Sequence, residues 1–415
     1  MINASSNTDI FPLSSIKVND IKDDAISLHR ILKGKIEIKS KVFTDGALDG
    51  KNDTLSLIYT PGVAYVAQEI SGNKSLAYEY TSKWNNVAII CDGTRVLGLG
   101  NVGPEAALAV MEGKSVLFKV LGGINAIPLC IATQDLEEII KFAKIVEPNF
   151  GAVNIEDIES PKVLKIVERL TRELSIPVFH DDQHGTAVIA LAALINALKL
   201  VQKRLSDIRI TIAGAGSAGY GICKILLTAG CRDILVTDRI GILHPSRKDI
   251  ENNSYKLEIA RRTNPNKVAG NLTDAIRDSD VVIGVSGVAG LFDKNMIRSM
   301  RHGPIVFALS NPDPEILPPD AYEAGAKIIA TGRSDYSNQV NNALVFPSVM
   351  RALLDLKIKK LTEEMLVSVA QGIAGLVDQV HLSEKYIIPK INDPRILPIV
   401  NETLKLAIMN HLKSN

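Results

Sequence analysis

The sequence has no excess of either charge, no closely spaced cysteine pair and no long uninterrupted apolar run. Lys and Arg total 47 and Asp and Glu total 46, a formal net charge of +1. A nucleic-acid footprint needs a basic excess on one face, so the balance gives no support to a nucleic-acid partner. It leaves room for a local basic site that takes an anionic small molecule. The four cysteines, Cys91, Cys130, Cys223 and Cys231, form no C-x-x-C pair. A chain of 415 residues does not need disulfide staples, and they read as free thiols in a reducing compartment. The opening MINASSNTDIFPL lacks the basic start and apolar core of a signal peptide. The longest apolar stretch, residues 188–200, holds Asn196 and falls short of a membrane span. The expected location is the cytoplasm, with no membrane partner. Internal repeats and low-complexity segments are also lacking.

What is present is apolar and alternating. The hydrophobic fraction is 46%, ample for packed cores in two domains. Residues 1 to about 20 read as a frayed arm and residues 20–34 as a helix with Gly34 as its stop. KGKIEIKSKV alternates like a strand. The short apolar runs WNNVAIICDG, NAIPLCIA and GAVNIED follow, each closing in a polar or glycine-rich turn and separated by helical patterns. That alternation predicts an α/β layer fold. DVVIGVSG, PIVFALSNP and AKIIATG read as three further buried strands, and beyond Asn342 the pattern is helical. The predicted layout is a substrate and metal domain over residues 1–181, joined by C-terminal helices over 342–415, and a Rossmann-type parallel-sheet NAD(P)-binding domain over 182–341.

The clearest single unit is DIRITIAGAGSAGYGICKILLTAGCRDILVTD, which reads strand, glycine turn, helix, glycine stop, strand. Gly214, Gly216 and Gly219 spell G-x-G-x-x-G, with Ser217 and Ala218 between the second and third. The first glycine permits a tight turn, the second lets backbone N–H groups approach a pyrophosphate, and the third allows close helix–strand packing. The helix N-terminus favours phosphate charge. The motif alone is weak, and a structural glycine turn is its bland alternative. Here a strand precedes it, a helix follows, and Asp238 closes the next strand about twenty residues on, as a dinucleotide fingerprint requires. Asp238 would accept from a ribose 2′-hydroxyl, which favours NAD. Arg239 could pair instead with the 2′-phosphate of NADP, or stand as a solvated surface charge.

Two acidic segments follow strand-like runs: NIEDI with Glu156 and Asp157, and HDDQHGT with Asp181 and Asp182. Strand ends of an α/β sheet collect ligands. Three carboxylates with open positions suit Mg²⁺ or Mn²⁺. The competing readings are that Asp181 and Asp182 cap the helix starting near Thr186, and that Glu156 and Asp157 form a solvated turn. His180 and His184 stand four apart and invite zinc. Their hard-oxygen neighbours and the lack of a nearby cysteine argue against it, leaving His184 a structural or supporting histidine.

Long ordered segments carry a resemblance. YTPGVA (59–64), CDGTRVLGLGNVGPEAALAVMEGKSVLFK (91–119), NIEDIESPK (154–162), VFHDDQHGTA (178–187), IAGAGSAG (212–219), ALSNPDPE (308–315) and ATGRSDYSNQVNNALVFP (330–347) look like the malic enzyme family, its short prokaryotic branch above all. The match runs over roughly residues 20 to 400. The resemblance implies Tyr59 as general acid, Lys114 as general base and Arg95 as the holder of a substrate carboxylate. It implies Glu156, Asp157 and Asp182 as metal ligands and Asp181 as a carboxylate beside the lysine. Asn311 and Asn342 become substrate or nicotinamide contacts. Departures fall at Ser337, Val288-Ala289, Tyr65-Val66, Asn101 and Asn125, which bear on loop rigidity and regulation rather than on the reaction. The family's phosphotransacetylase-like extension is not expected on this chain.

The implied activity is oxidation of malate with NAD or NADP, then decarboxylation to pyruvate on Mg²⁺ or Mn²⁺, by a homodimer. Lys114 serves as a base only if its pKa falls well below the ordinary value near 10.4; burial and a nearby metal cation would both push it down, and Asp181 would oppose that shift while orienting the amine. Rival readings are a malolactic enzyme, which yields lactate and usually belongs to the long branch, and a catalytically silent nucleotide-binding regulator. The second predicts loss of Lys114 or of a metal ligand, and all are present. A simple 2-hydroxy acid dehydrogenase would need no metal site of three carboxylates.

Overall fold

The computed structural model describes residues 21–32, 35–41 and 54–414. By its contacts the chain separates into residues 1–47 and 48–415. In the first unit, helix α1 (Ile21–Leu32) carries His29 and Arg30 in its last turn, where positive charge suits the helix dipole. The frayed arm read for the first residues, and Gly34, lie outside the described residues. The strand read in KGKIEIKSKV is corrected: residues 36–40 carry no strand, and Ile36 and Ile38 are exposed. Alternation alone does not make a strand without a neighbour to take its backbone hydrogen bonds.

The second unit opens with short helices α2 (Thr54–Ile58), α3 (Gly62–Gly72) and α4 (Ala77–Tyr80), then strand β1 (Asn86–Cys91). There follow α5 (Pro104–Gly122), β2 (Asn125–Cys130), α6 (Leu136–Val146), β3 (Ala152–Glu156), α7 (Lys162–Glu173) and β4 (Val178–His180). The four strands form a parallel sheet in the order β2-β1-β3-β4. β1 and β3 are buried almost end to end, as strands covered on both faces must be. Local chemistry sets the helix limits. Helix α5 has Pro104 at its start and ends on left-handed Gly123. Helix α6 is capped by Asp135, which accepts from the amides of Glu137 and Glu138 at 2.9 Å.

A π-type turn, Asp181–Gly185, then leads into α8 (Thr186–Leu200). The second sheet is built from β5 (Arg209–Ala213), α9 (Ser217–Thr228), β6 (Asp233–Thr237), α10 (Ser254–Arg262), α11 (Leu272–Ile276), β7 (Val281–Gly284), α12 (Lys294–Arg298), β8 (Ile305–Ala308), α13 (Pro318–Glu323) and β9 (Ile328–Thr331). It too is parallel, in the order β6-β5-β7-β8-β9. Helices α14 (Phe346–Asp355), α15 (Glu363–Gly375) and α16 (Ile396–Ser414) close the chain. Helix α14 packs on α5 and β3, and α15 packs on α8, α9 and α16. One hydrophobic core runs from β1 through α8 to β5 and α14, and a smaller one lies against β7, β8 and β9. This is the expected two-domain α/β fold.

The apolar run that the sequence left short of a membrane span is longer in the structure. With the π turn it makes 20 helical residues, Asp181–Leu200, of mean hydropathy 1.2, long and apolar enough to cross a membrane. Of that stretch 72% is buried inside the protein, against α9 and α15, which makes it a core helix here.

Both strand orders reverse direction once. In the first sheet the reversal lies between β1 and β3, in the second between β5 and β7. Outside the carboxyl ends of strands at such a point, the departing loops part and leave a crevice. Cys91 and Glu156 end the first pair, and Ala213 and Gly284 the second.

Candidate active site

The loops leaving β1 and β3 are tied to one another. Asp92 accepts from the Thr94 amide at 3.0 Å and from its hydroxyl at 2.6 Å. Its other oxygen takes Lys162 Nζ at 2.8 Å. The Arg95 amide donates to the Asp157 carbonyl at 3.1 Å. Asp157 sits in the left-handed region at φ 47°, which breaks the strand immediately after Glu156 and turns the next carboxylate off the sheet.

Lys114 lies at the centre. It projects from α5, with Nζ 2.5 Å from Glu156 Oε1 and 2.6 Å from Asp181 Oδ2. The Phe346 ring of α14 backs it at 4.9 Å. Glu156 also accepts from Asn154 Nδ2 at 2.7 Å. Asp181 and Asp182 do not cap α8, which has no side-chain cap; the fold uses Asp181 to hold the lysine. Asn342 packs against this turn, so close that a Cβ on Gly185 would lie 3.2 Å from its own Cβ.

Burial and mutual repulsion work against the charges of these acids. Burial raises the pKa of Glu156 well above the usual carboxylate range, with Asp181 and Asp182 adding to it against Lys114. Burial and then Asp182 raise Asp157 to about 7. Burial opposes the charge on Lys114, but Asp181 and Glu156 outweigh it, and the lysine pKa is raised. Burial acts in the expected direction and Asp181 opposes it as expected; with Glu156 added, the two touching carboxylates prevail. The buried histidines stay neutral. Burial takes His184 to about 3 and His180 to about 4. His184 Nδ1 accepts from the His180 amide at 3.2 Å and its ring packs on Phe179.

The chemistry of the donors fits a hard divalent cation. They are carboxylate oxygens, and Asp157 Oδ2 and Asp181 Oδ1 are buried with no hydrogen-bond partner, a costly state. Among the described residues, however, no three His, Cys, Asp or Glu side chains are gathered into a finished coordination shell. The acids are neighbours whose cationic partner in this arrangement is Lys114.

Tyr59 is not drawn in. It lies in the turn between α2 and α3 and is 67% exposed. Among the described residues no hydrogen bond or ring contact joins it to Lys114. Arg95 is exposed and reaches toward the second sheet, where a Cβ on Gly287 would lie 3.2 Å from its guanidinium.

At the second switch point the glycines meet the geometric demands of a phosphate cradle. Gly214 has φ 123°, and a Cβ there would stand 2.6 Å from the Val285 carbonyl. A Cβ on Gly219 would fall 1.9 Å from the Gly214 carbonyl. Gly216, just ahead of Ser217 and Ala218 at the start of α9, would meet nothing within 4 Å and is open to approach. Asn311 packs over Gly332 at the ends of β8 and β9. Asp238 is already engaged: Arg247 donates to it through both terminal nitrogens at 3.0 Å and Lys256 at 2.6 Å. Arg239, beside it, is exposed.

Comparison with known proteins decides the family. The model of the malic enzyme N-terminal domain matches residues 34–171, and that of the malic enzyme NAD binding domain matches residues 183–400. The chain belongs to the malic enzyme family. It is 48% identical over 389 residues to the bifunctional malic/malolactic enzyme of Bacillus subtilis, covering 94% of this chain and 93% of that one. It is 45% identical to the NAD-dependent malic enzyme of Geobacillus stearothermophilus, covering 94% and 80%. The solved NAD-dependent malic enzyme of Thermotoga maritima superposes with a TM-score of 0.87 at 45% identity, over 92% of this chain and 99% of that chain.

In this malic enzyme several residues that shape the site had escaped sequence reasoning. Asn154 and Phe346 are ordinary strand and helix residues until the fold sets them against Glu156 and Lys114. Glu315 is fully buried, and accepts from the Ser286 amide and hydroxyl at 2.9 Å and from the Ser310 hydroxyl at 2.5 Å. It thereby joins the loops after β7 and β8. Its signal was its place in LSNPDPE. Arg247 and Lys256 gave none, since each reaches Asp238 from a separate element.

Proposed function

We propose that this chain oxidises malate with NAD or NADP and decarboxylates the product to pyruvate and CO₂, in a reaction dependent on a divalent metal. The observation that carries this reading is the lysine held between two buried carboxylates at one switch point, with a phosphate cradle at the other. Glu156, Asp157 and Asp182 would hold Mg²⁺ or Mn²⁺. A bound cation would make the C2 hydroxyl more acidic and stabilise negative charge developing on its oxygen. A nicotinamide over the Gly214–Gly219 turn would accept the hydride from C2.

Lys114 takes the proton of the C2 hydroxyl. It would lose an ion-pair partner if Glu156 served as a metal ligand, and its pKa would then move toward the range a base needs. Asp181 keeps the amine aimed. Arg95 holds a substrate carboxylate, and Asn311 and Asn342 position substrate and nicotinamide. Tyr59, exposed in the single chain, would have to be brought to the site to protonate C3 after CO₂ leaves.

For the cofactor we favour NAD, through hydrogen bonds from the ribose to Asp238. Lys256 and Arg247 bring two cations to that carboxylate and support use of NADP at lower kcat/KM. Lys256→Ala should lower kcat/KM for NADP more than for NAD; an equal effect on both would remove Lys256 from cofactor choice. The proposed division is residues 1–181 with 342–415 against residues 182–341; the family models that meet between 171 and 183 support its first boundary, and the packing of α14 on α5 and β3 supports the return of that helix, whereas α15 packs on α8 and α9 and the NAD binding domain model runs on to residue 400. A cytoplasmic homodimer fits the free thiols and the exposed Leu57, Tyr59 and Tyr65, and light scattering would test it.

The test of the reaction is absorbance at 340 nm with malate, Mn²⁺, and NAD or NADP in turn, with products assayed. The expected outcome is reduced cofactor and pyruvate in equal amounts, requiring both malate and metal. Lactate without net reduction would favour the malolactic reading. The Bacillus relative bears both activities in its name and is nearly spanned by this chain, so chain length does not separate the two. No turnover of malate with either cofactor would sink the proposal.

A further inference from the structure

Cys91 and Cys130 are the last residues of β1 and β2 and are register partners in that parallel pair. Partners on neighbouring strands point to the same face and lie about 4.8 Å apart, inside the Cα separation of about 4.4–6.8 Å that a disulfide accepts. Both are free thiols. Their side chains leave the sheet on the same side, as those of register partners must. Cys91 is fully buried, while Cys130 is half-buried and within reach of solvent. The other two cysteines, Cys223 and Cys231, are both buried, on and just after α9, and neither is open to a reagent from solvent.

The position of the pair gives it consequences. On its other side Cys91 is the register partner of Glu156. The next residue, Asp92, anchors the loop that carries Arg95. We propose that Cys91 and Cys130 form an oxidation site, in which a peroxide converts the two thiols to a cross-strand disulfide and the bond displaces the end of β1 against the acid cluster. The half-buried Cys130 sulfur attacks the peroxide, whose O–O bond breaks; with hydrogen peroxide, Cys130 becomes a sulfenic acid and one water leaves. The Cys91 sulfur then attacks that of Cys130, the S–O bond breaks, and its proton leaves with the hydroxyl as a second water. Two thiols lose two electrons and two protons, and the peroxide gains them.

The experiment treats the whole enzyme with hydrogen peroxide, then counts thiols after denaturation, maps linked peptides by mass and assays malate oxidation. The expected result is a fall from four thiols to two, a Cys91–Cys130 linkage, a loss of activity of about tenfold or more, since misplacement by about 1 Å can cost about 10²-fold, and recovery with dithiothreitol. Cys130→Ser should keep basal activity, form no linked peptide and resist the peroxide. Cys91→Ser should stop at a Cys130 sulfenic acid that a dimedone probe captures. Absence of the linked peptide in the parent, linkage without loss of activity, or equal inactivation of Cys130→Ser overturns the proposal. The disulfide is read by mass without turnover, so its failure is distinct from failure of the malate reading on which the activity arm rests.

Discussion

The two switch points are topologically alike and chemically opposed. At the first, the ends of β1, β3 and β4 crowd Glu156, Asp157, Asp181 and Asp182 around one lysine, and buried acids rise above their ordinary pKa. At the second, the ends of β5 and β7 offer backbone and glycine, and its carboxylates are answered: Asp238 is paired with two cations and Glu315 is held by Ser286 and Ser310. A parallel sheet supplies a crevice in either case. What fills it decides whether the crevice is built to change a substrate's charge or to hold a cofactor still. The first stores electrostatic strain and the second stores shape.

Removing the charge at the centre of the first site should have the largest effect. Lys114→Ala is expected to lower kcat by about 10²–10⁴-fold. Because it strands Glu156 and Asp181 as buried unpaired acids, it should also cost about 3–5 kcal/mol of stability, part of which Mn²⁺ restores. Urea unfolding with and without metal measures the second effect. If Lys114→Ala turns over malate at the parent rate, the base lies elsewhere.

Asp157→Asn sharpens the contrast between strain and function. It removes a buried charge with an unpartnered oxygen while keeping a side chain that tolerates positive φ. Metal-dependent turnover should fall by more than the roughly 10–100-fold lost on removing an outer partner of a metal ligand. Stability of the metal-free protein should rise by about 1 kcal/mol. A drop in both would mean that Asp157 is structural.

The second site should break sterically. Gly219→Ala places a methyl on the Gly214 carbonyl, and is expected to cost about 1–3 kcal/mol and to weaken NAD binding. The effect should leave Mn²⁺ affinity unchanged, as titrated by the paramagnetic signal of free Mn²⁺. Loss of metal binding in that variant would show that the two sites are not separable.

The smallest effect concerns Asp238. Burial works against its charge, but Arg247 and Lys256 outweigh it and lower the pKa to about 2. The folded value is thus below the unfolded one, near 3.9. The stabilisation is complete above that unfolded value and is lost as pH falls from about 4 through about 2. Asp238→Asn should flatten that part of the urea-midpoint curve by less than about 1 kcal/mol, and an unchanged slope would exclude the linkage.

The sequence made the sheets legible because parallel strands buried on both faces read as short apolar runs. The glycine turn was legible because each of its three glycines answers a local constraint. The strand read in KGKIEIKSKV failed for want of a partner, which no periodicity can reveal. The same limit hid the setting of Lys114. Its neighbours in sequence show a helix residue, whereas its pKa is set by burial and by acids on β3 and the turn after β4, and its ring contact comes from a phenylalanine more than two hundred residues away. Motif reading set Asp181 beside the lysine, as the structure has it, but took Glu156 only as a metal ligand and missed that it would touch the lysine as well.

Glu315 has a consequence for how this sequence can change over generations. It is fully buried and satisfied by serines on two different loops. Replacing Ser286 or Ser310 alone leaves a buried carboxylate short of donors, while replacing all three together with apolar residues removes the demand. The fitness effect of a mutation at any one of the three positions therefore depends on the residues at the other two, and viable descendants reach new loops here by compensated steps rather than by independent ones.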